Sequence, residues 1–281
     1  SKPLNSLQKK QVRTILHGEA ETKRTAFYQT YNSGSVNIRS DGTYQNRGWA
    51  LQNNAITLNN TDILQLIPFV TQGTDDNSRI GQRISVTGLH VAGSVRVSLN
   101  NNINPQLNSD FKVYLYVCQH VSLKDYTNLY SNNDFTQFLE TGEPAGTGLS
   151  PGTVAFTGQP QNRGMPIAKQ YYKVCHRKVI TLRWAGTQNS TATPVAYSIA
   201  NAHQWYADFN LNLTKYVPKV LQYPETNTSP TAIPDTQNSP TNSSLFMCMG
   251  FIDDRNPSNG AGYILGSLEQ TYVSNISFKD L

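Results

Sequence analysis

The residues of this 281-residue chain with covalent or metal chemistry in reach are one framed serine, three cysteines, five histidines and two pairs of aspartates. Gly148-Leu149-Ser150-Pro151-Gly152 spells the G-x-S-x-G frame of a nucleophile elbow. In that elbow the residue after the serine donates its backbone N–H to the oxyanion. Pro151 has no N–H to give. The surrounding EPAGTGLSPG also reads as a loop, so Ser150 is not expected to be a nucleophile. Cys118, Cys175 and Cys248 lie far apart, inside strand-like stretches and without C-x-x-C spacing, and read as reduced core residues. His17, His90, His120, His176 and His203 form no H-E-x-x-H pair. Asp75-Asp76 and Asp253-Asp254 offer the clustered carboxylates that a hard cation takes, but exposed turn aspartates are the plainer reading. No glycine frame for cradling phosphates occurs either. Six N-x-[ST] sequons, starting at Asn59, Asn189, Asn212, Asn227, Asn242 and Asn275, are what a chain this rich in Asn and Thr produces by chance. The sequence therefore predicts no catalytic residue, no metal ligand and no cofactor.

The chemistry that remains is electrostatic. Net charge is +5 and the pI about 9.0, a mild bias toward polyanions. Residues 1–24 hold six basic residues, Lys2, Lys9, Lys10, Arg13, Lys23 and Arg24, against Glu19 and Glu21. That is +4 of the chain's +5. Ser6 is placed to cap a short helix with Leu7, Val12, Ile15 and Leu16 on its apolar side and Lys9, Lys10 and Arg13 on its wet side. Such a segment can lie on nucleic acid and neutralise phosphates without reading sequence. An ordinary solvated amphipathic helix is the alternative.

The elements that must position this segment are strands. In RIGQRISVTGLHVAGSVRVSLN (Arg79–Asn100), Ile84 and Val86 occupy even positions. After Gly88 the apolar residues Leu89, Val91, Val95, Val97 and Leu99 occupy odd ones. A period of two is a half-buried strand, and the phase slip predicts a β-bulge at Gly88. From Arg83 to Leu99, at about 3.3 Å per residue, this strand reaches roughly 55 Å. Seven more strands follow: Phe111–Val121, Tyr171–Cys175, Val179–Trp184, Trp205–Leu213, Lys219–Tyr223, Leu245–Ile252 and Tyr263–Phe278. His176-Arg177-Lys178 is read as the short turn of a hairpin. Weaker strand-like pieces precede them at Ala26–Tyr31, Val36–Arg39 and Ile63–Val70. Helical signal is sparse, with one further candidate at Phe135–Glu140, where Asp134 and Gln137 hold capping-box spacing. Short and long connections alternate along the eight strands. In a two-sheet jelly roll successive strands cross between sheets, so one end is predicted to be trim and the other to carry three large loops.

Four stretches in order carry a likeness to a known family. They are IPFVTQGTDDNSRIGQRISVTGLHVAGSV (Ile67–Val95), YYKVCHRKVITL (Tyr171–Leu182), WYADFNLNLTKYVPKVLQY (Trp205–Tyr223) and the closing SFKD (Ser277–Asp280). With them the chain resembles, over about Ile63–Leu281, the single jelly-roll capsid protein of circular, Rep-encoding single-stranded DNA viruses, the circovirus-like group. A dense arginine-rich N-terminal arm, usual in such proteins, is a departure. The resemblance implies an all-β fold: one eight-stranded viral jelly roll of two packed antiparallel sheets with long inserted loops. Residues 1–24 would form a basic, interior-facing segment. Residues 25–281 would form the capsid domain, with extra strands within 25–70 and core strands from about 83. It further implies a homo-oligomer of about sixty copies closed into a T=1 icosahedral shell. The partners would be a single-stranded genome, DNA rather than RNA, and a host receptor that attaches to the loops. The location would be the virion, with assembly in the host cell nucleus. The capsid protein of a small RNA or satellite virus is an alternative, and a jelly-roll carbohydrate-binding module a more distant one. Composition agrees with a surface that meets other protein: 28 asparagines and only 15% charged residues. No apolar run approaches the roughly 20 residues a membrane helix needs, so no membrane insertion is expected. The opening on Ser1 leads to the expectation of a longer natural N-terminus.

Overall fold

Alternating apolar residues build two antiparallel sheets, packed face to face. The structure is a computed structural model that describes residues 5–29, 63–97, 109–144, 151–156, 158, 160–184, 187–188, 197–198, 206–224, 238–253 and 268–281. In chain order the elements are α1 (Ser6–Glu19), β1 (Lys23–Gln29), β2 (Leu64–Gln65), β3 (Arg83–Val97), β4 (Ser109–His120), α2 (Tyr126–Asn132), β5 (Leu139–Pro144), β6 (Pro151–Val154), β7 (Tyr172–Trp184), β8 (Thr187–Gln188), β9 (Tyr197–Ser198), β10 (Tyr206–Asn212), β11 (Val220–Gln222), β12 (Phe246–Asp253) and β13 (Leu268–Asp280). The first sheet runs β1-β13-β3-β10, with β11 pairing the start of β3. The second runs β2-β12-β4-β7. Two small ribbons, β5-β6 and β8-β9, stand apart. The chain is all-β in its main architecture.

The phase slip in β3 is real and sits where the sequence puts it. Against β13, Gly88 pairs with Ser277 while Val86 pairs with Phe278, which leaves Thr87 as the extra residue of a bulge. Ile84, Leu89, Val91 and Val95 are fully buried, and Val86 packs half-buried against them. Opposite them the second sheet contributes Val113, Leu115 and Val117 from β4 and Ile180 and Leu182 from β7. Gly93 in mid-β3 is a close-approach glycine. A Cβ there would lie 2.3 Å from the Thr271 carbonyl and 2.6 Å from the Phe209 ring.

The predicted hairpin at His176-Arg177-Lys178 is absent. Tyr172–Trp184 is one strand, and these three residues pair in sequence with Val117, Tyr116 and Leu115. Nothing in the triplet has the φ > 0 preference of a tight turn. The long partner β4 therefore draws the whole segment into its ladder, and one extra residue, Cys175, is taken up as a bulge between Val174 and His176. The sequence reading misplaced one cap, and Asp134 caps as predicted with a different bond. The N-cap of α1 is Asn5, not Ser6. Asn5 Oδ1 accepts from the Gln8 N–H at 2.8 Å, and Gln8 Oε1 accepts from the Asn5 N–H at 3.0 Å, a reciprocal capping box. At Asp134 the carboxylate takes the Thr136 N–H instead of that of Gln137. A three-residue 3-10 turn, Phe135–Gln137, then gives way to β5. The predicted limit of the basic segment at residue 24 falls inside β1. The predicted strand Val36–Arg39 lies outside the described residues.

Described parts of the long link 121–171 lie on the outer face of the second sheet. Tyr114, Tyr116, Tyr172 and Phe246 point outward from that sheet and are met by Phe135, Phe138 and Phe156 of the link. The contacts are mostly edge-to-face, such as Tyr116 on Phe138 with ring centroids 5.4 Å apart.

Candidate nucleic-acid interface

The predicted basic residues divide by where the fold puts them. Lys9 and Lys10 are exposed on α1, as are Leu7, Val12 and Ile15 on its apolar side. Arg13 lies on the same helix. Lys2 lies outside the described residues. The helix is tied to the sandwich near its C-terminal end, where Lys279 Nζ donates to the Gly18 carbonyl at 3.2 Å. Exposed lysines on the wet side of a helix are placed to follow a phosphate chain.

Lys23 and Arg24 have different surroundings. Lys23 is buried at the start of β1. Its Nζ bridges Asp280 Oδ2 at 3.0 Å and donates to the Ser78 carbonyl at 3.0 Å. Asp280 Oδ1 in turn takes the Ile80 N–H at 3.0 Å. This pair clasps the first strand, the last strand and the 71–82 loop together, and it holds Lys23 away from any ligand. The sequence could not show this, because the Asp280 partner is 257 positions away and a lone lysine reads as solvated. Arg24 lines an open cleft of about 570 Å³ with Glu21, Thr22, Asp75, Asp76 and Asn77. Three carboxylates around one guanidinium give that cleft a potential that repels phosphate.

The 71–82 loop contains Arg79-Ile80-Gly81. Arg79 is wholly buried. Its Nε donates to the Val70 carbonyl at 3.2 Å and its Nη1 to the Gly81 carbonyl at 2.6 Å, while the guanidinium lies 4.6 Å from the Tyr223 ring centroid. Burial pushes the Tyr223 hydroxyl well above its usual range, so that phenol stays neutral. Arg79 therefore serves the fold.

The remaining candidates lose their chemistry. Cys118 and Cys248 are buried free thiols. Burial first, then the neighbouring Cys118, push the Cys175 thiol up to about 11, and Lys173 offsets this only in part. A thiol so raised is not a nucleophile at neutral pH. Among the described residues no group of three His, Cys, Asp or Glu side chains gathers around a point where a metal could sit. Asp75 and Asp76 instead share the cleft with Arg24. Ser150, His203 and Asp254 lie outside the described residues.

The sequence reading passed over one basic group. The Cys175 bulge puts Lys173, His176 and Lys178 on the same face of β7, and Lys215 approaches His176 from the link between β10 and β11. Burial and the charges of Lys178 and Lys215 hold the His176 imidazole below its ordinary pKa. By sequence, 173 and 176 differ in parity and would face opposite ways. Only the bulge brings them together.

No protein-family model matches the chain, and no curated protein matches it.

Proposed function

We propose that the chain is a viral capsid protein: one jelly roll that self-assembles into a small closed shell around a single-stranded nucleic acid, with circular single-stranded DNA as the genome. The observation that carries this reading is the pairing order. Among the described residues the two sheets hold nine strands; with the three-residue β11 beside β3 set aside, β1, β2, β3, β4, β7, β10, β12 and β13 carry the pairing. The first pairs with the last, β2 with β12, β3 with β10, and β4 with β7. That is the order obtained when one long antiparallel hairpin is rolled up, which is how a jelly roll is built. On this reading the strand Arg83–Val97 is third of the eight rather than first. The two strands gained are β1 and β2, and the two predicted strands of the hairpin merge into β7.

Two features support the assembly part. The outer face of the first sheet carries small and amide side chains at its centre, Ala92, Ser94, Thr271, Val273, Asn210 and Asn275, with Arg96, Asp208 and Glu269 toward one end. And α1 exposes apolar and basic sides together, a surface suited to lie between a protein wall and a polyanion. No step of this function is chemical, so the protein is proposed to be no enzyme.

Negative-stain imaging and sedimentation of the purified protein test the reading. Uniform spherical particles roughly 20 nm across, made of about sixty copies, are expected. Their 260/280 absorbance ratio should rise above that of protein alone, and nuclease-resistant DNA should be recovered. A monodisperse monomer or small oligomer with affinity for glycans would identify a carbohydrate-binding module instead. Recovery of RNA would move the assignment to an RNA or satellite virus capsid.

A further inference from the structure

Two basic surfaces lie at opposite edges of the sandwich. The first, α1, leads into β1 at one edge. At the other edge β7 closes the second sheet beside β10 of the first. There Lys173 pairs across β4 with Gln119, His176 with Val117, and Lys178 with Leu115. Val117 and Leu115 point into the space between the sheets, so the three basic side chains share that face and look out through the gap beside β10. The gap is floored by the 3-10 turn Thr214–Tyr216, which Gln119 fixes by donating its Nε2–H to the Tyr216 carbonyl at 2.9 Å. Lys215 Nζ stands 4.8 Å from the centroid of the half-buried Tyr216 ring.

We infer that this edge, formed by Lys173, His176, Lys178 and Lys215 around Tyr216, is a second nucleic-acid site that takes the phosphates of a single strand. The inference rests on the capsid reading and adds a contact on the sandwich itself.

Charge is the first argument. Among the described residues none of the four basic groups pairs with a carboxylate at 4.0 Å or less, in contrast to Lys23 on Asp280. Like charges set along one edge without a counterion repel one another, and a phosphate chain lying along them removes that repulsion. The second argument is shape. At about 3.3 Å per residue the lysines of β7 spread over roughly 15 Å, so they track an extended chain rather than enclose one ion. The third is the neighbouring ring, since single-strand sites set aromatic faces beside cations. The outer edge of β7 pairs with no described strand, so its backbone N–H groups are further donors to phosphate oxygens.

The experiment measures how the affinity of the full-length protein for a fluorescent oligothymidine depends on salt. Each single-strand phosphate contact contributes about −0.7 to the slope of log K against log salt. The triple variant K173Q/K178Q/K215Q should flatten the slope by about 2. K215Q alone, which leaves β7 untouched, should flatten it by about 0.7 and keeps the test valid if the triple variant folds poorly. K9Q/K10Q on α1 is the reference, and should lower the slope independently of the triple variant. An unchanged slope in K215Q and in the triple variant, beside a flattened slope in K9Q/K10Q, overturns the inference and leaves the capsid reading standing. A parent protein with no salt-dependent oligonucleotide affinity removes both. Lost heparin binding with intact oligothymidine binding would assign the edge to sulfated glycans and overturn the inference. So would aggregation of the triple variant with an unchanged slope in its soluble fraction, because the lysines would then serve to block edge-to-edge pairing.

Discussion

The two sheets treat their outer faces in opposite ways. The second sheet carries Tyr114, Tyr116, Tyr172 and Phe246 outward and hides them under Phe135, Phe138 and Phe156 of the 121–171 link. Tyr172 is held by its hydroxyl, which donates to Asn133 Oδ1 at 2.9 Å beside the Asp134 carbonyl. Burial raises the Tyr116 and Tyr172 hydroxyls far above their ordinary range, so both stay neutral. The first sheet leaves its outer face open with small and amide side chains, such as Ser94 and Thr271 joined at 3.1 Å. One sheet thus has a core on both sides and the other on one. The difference teaches where each sheet's stability must come from. The second sheet is self-sufficient within the chain, and the first has a whole face left to offer to neighbours.

The strongest test is on the covered face. Phe138→Ala removes the ring that contacts Tyr116, Phe135 and Tyr172 at once and should cost about 3–5 kcal/mol in chemical denaturation. A loss under about 1 kcal/mol would mean that the link is a loose lid and the two outer faces are alike. Next comes the inner face of the first sheet. Gly93→Ala puts a methyl against the Thr271 carbonyl and should cost about 1–3 kcal/mol, because backbone cannot yield as a side chain can. Wild-type stability in that variant would show that β3 and β13 are less tightly apposed than the structure has them.

A smaller effect follows from acid. His120 sits at the margin of the covered face, where its Nδ1 accepts the N–H groups of Ser122 and Leu123 at 3.1 and 3.0 Å. Burial, then the nearby Lys124 charge, keep its pKa below 6.5 in the folded chain. The unfolded chain therefore takes up the proton first. The stabilisation is complete above about pH 6.5 and is lost as pH falls through the lower folded value. Denaturation at pH 7 and pH 5 should differ by about 1 kcal/mol, since protonation removes the acceptor of two part-buried bonds. His120→Asn keeps an acceptor without a titration and should reduce that difference. If it does not, His176, whose pKa is lowered too, is the group to change next. The smallest effect on folding is expected on the open face. Val273→Thr should change unfolding free energy by less than about 0.5 kcal/mol. If that face packs against a neighbour, Val273→Arg should abolish particles in sedimentation while the chain still folds. Intact particles would place the contacts elsewhere.

Much of this fold was legible because a strand's two faces are written in alternate letters. The β3 bulge, the buried odd positions after Gly88, and the positions of β4, β10, β12 and β13 all follow from local pattern. The hairpin at His176 was misread because three polar residues look like a turn until a long partner strand is known to run alongside. The 121–171 link was expected to hold one short helix at Phe135–Glu140, and its cover over the second sheet was not legible because its aromatics, Phe135, Phe138 and Phe156, have no period of their own.

By itself the sequence determined the all-β class, the basic charge of the N-terminal helix, and the lack of a proton donor at Pro151. The tertiary structure alone decided which cations are free. Lys23 and Lys9 are the same residue type in the same basic segment, yet one is bound to Asp280 at the far end of the chain and the other stands in water. Likewise Lys173, His176, Lys178 and Lys215 share a face only because of a bulge and a crossing turn. The reason is physical: a charge is neutralised by what lies within a few ångströms in space, and sequence distance carries almost no information about that separation.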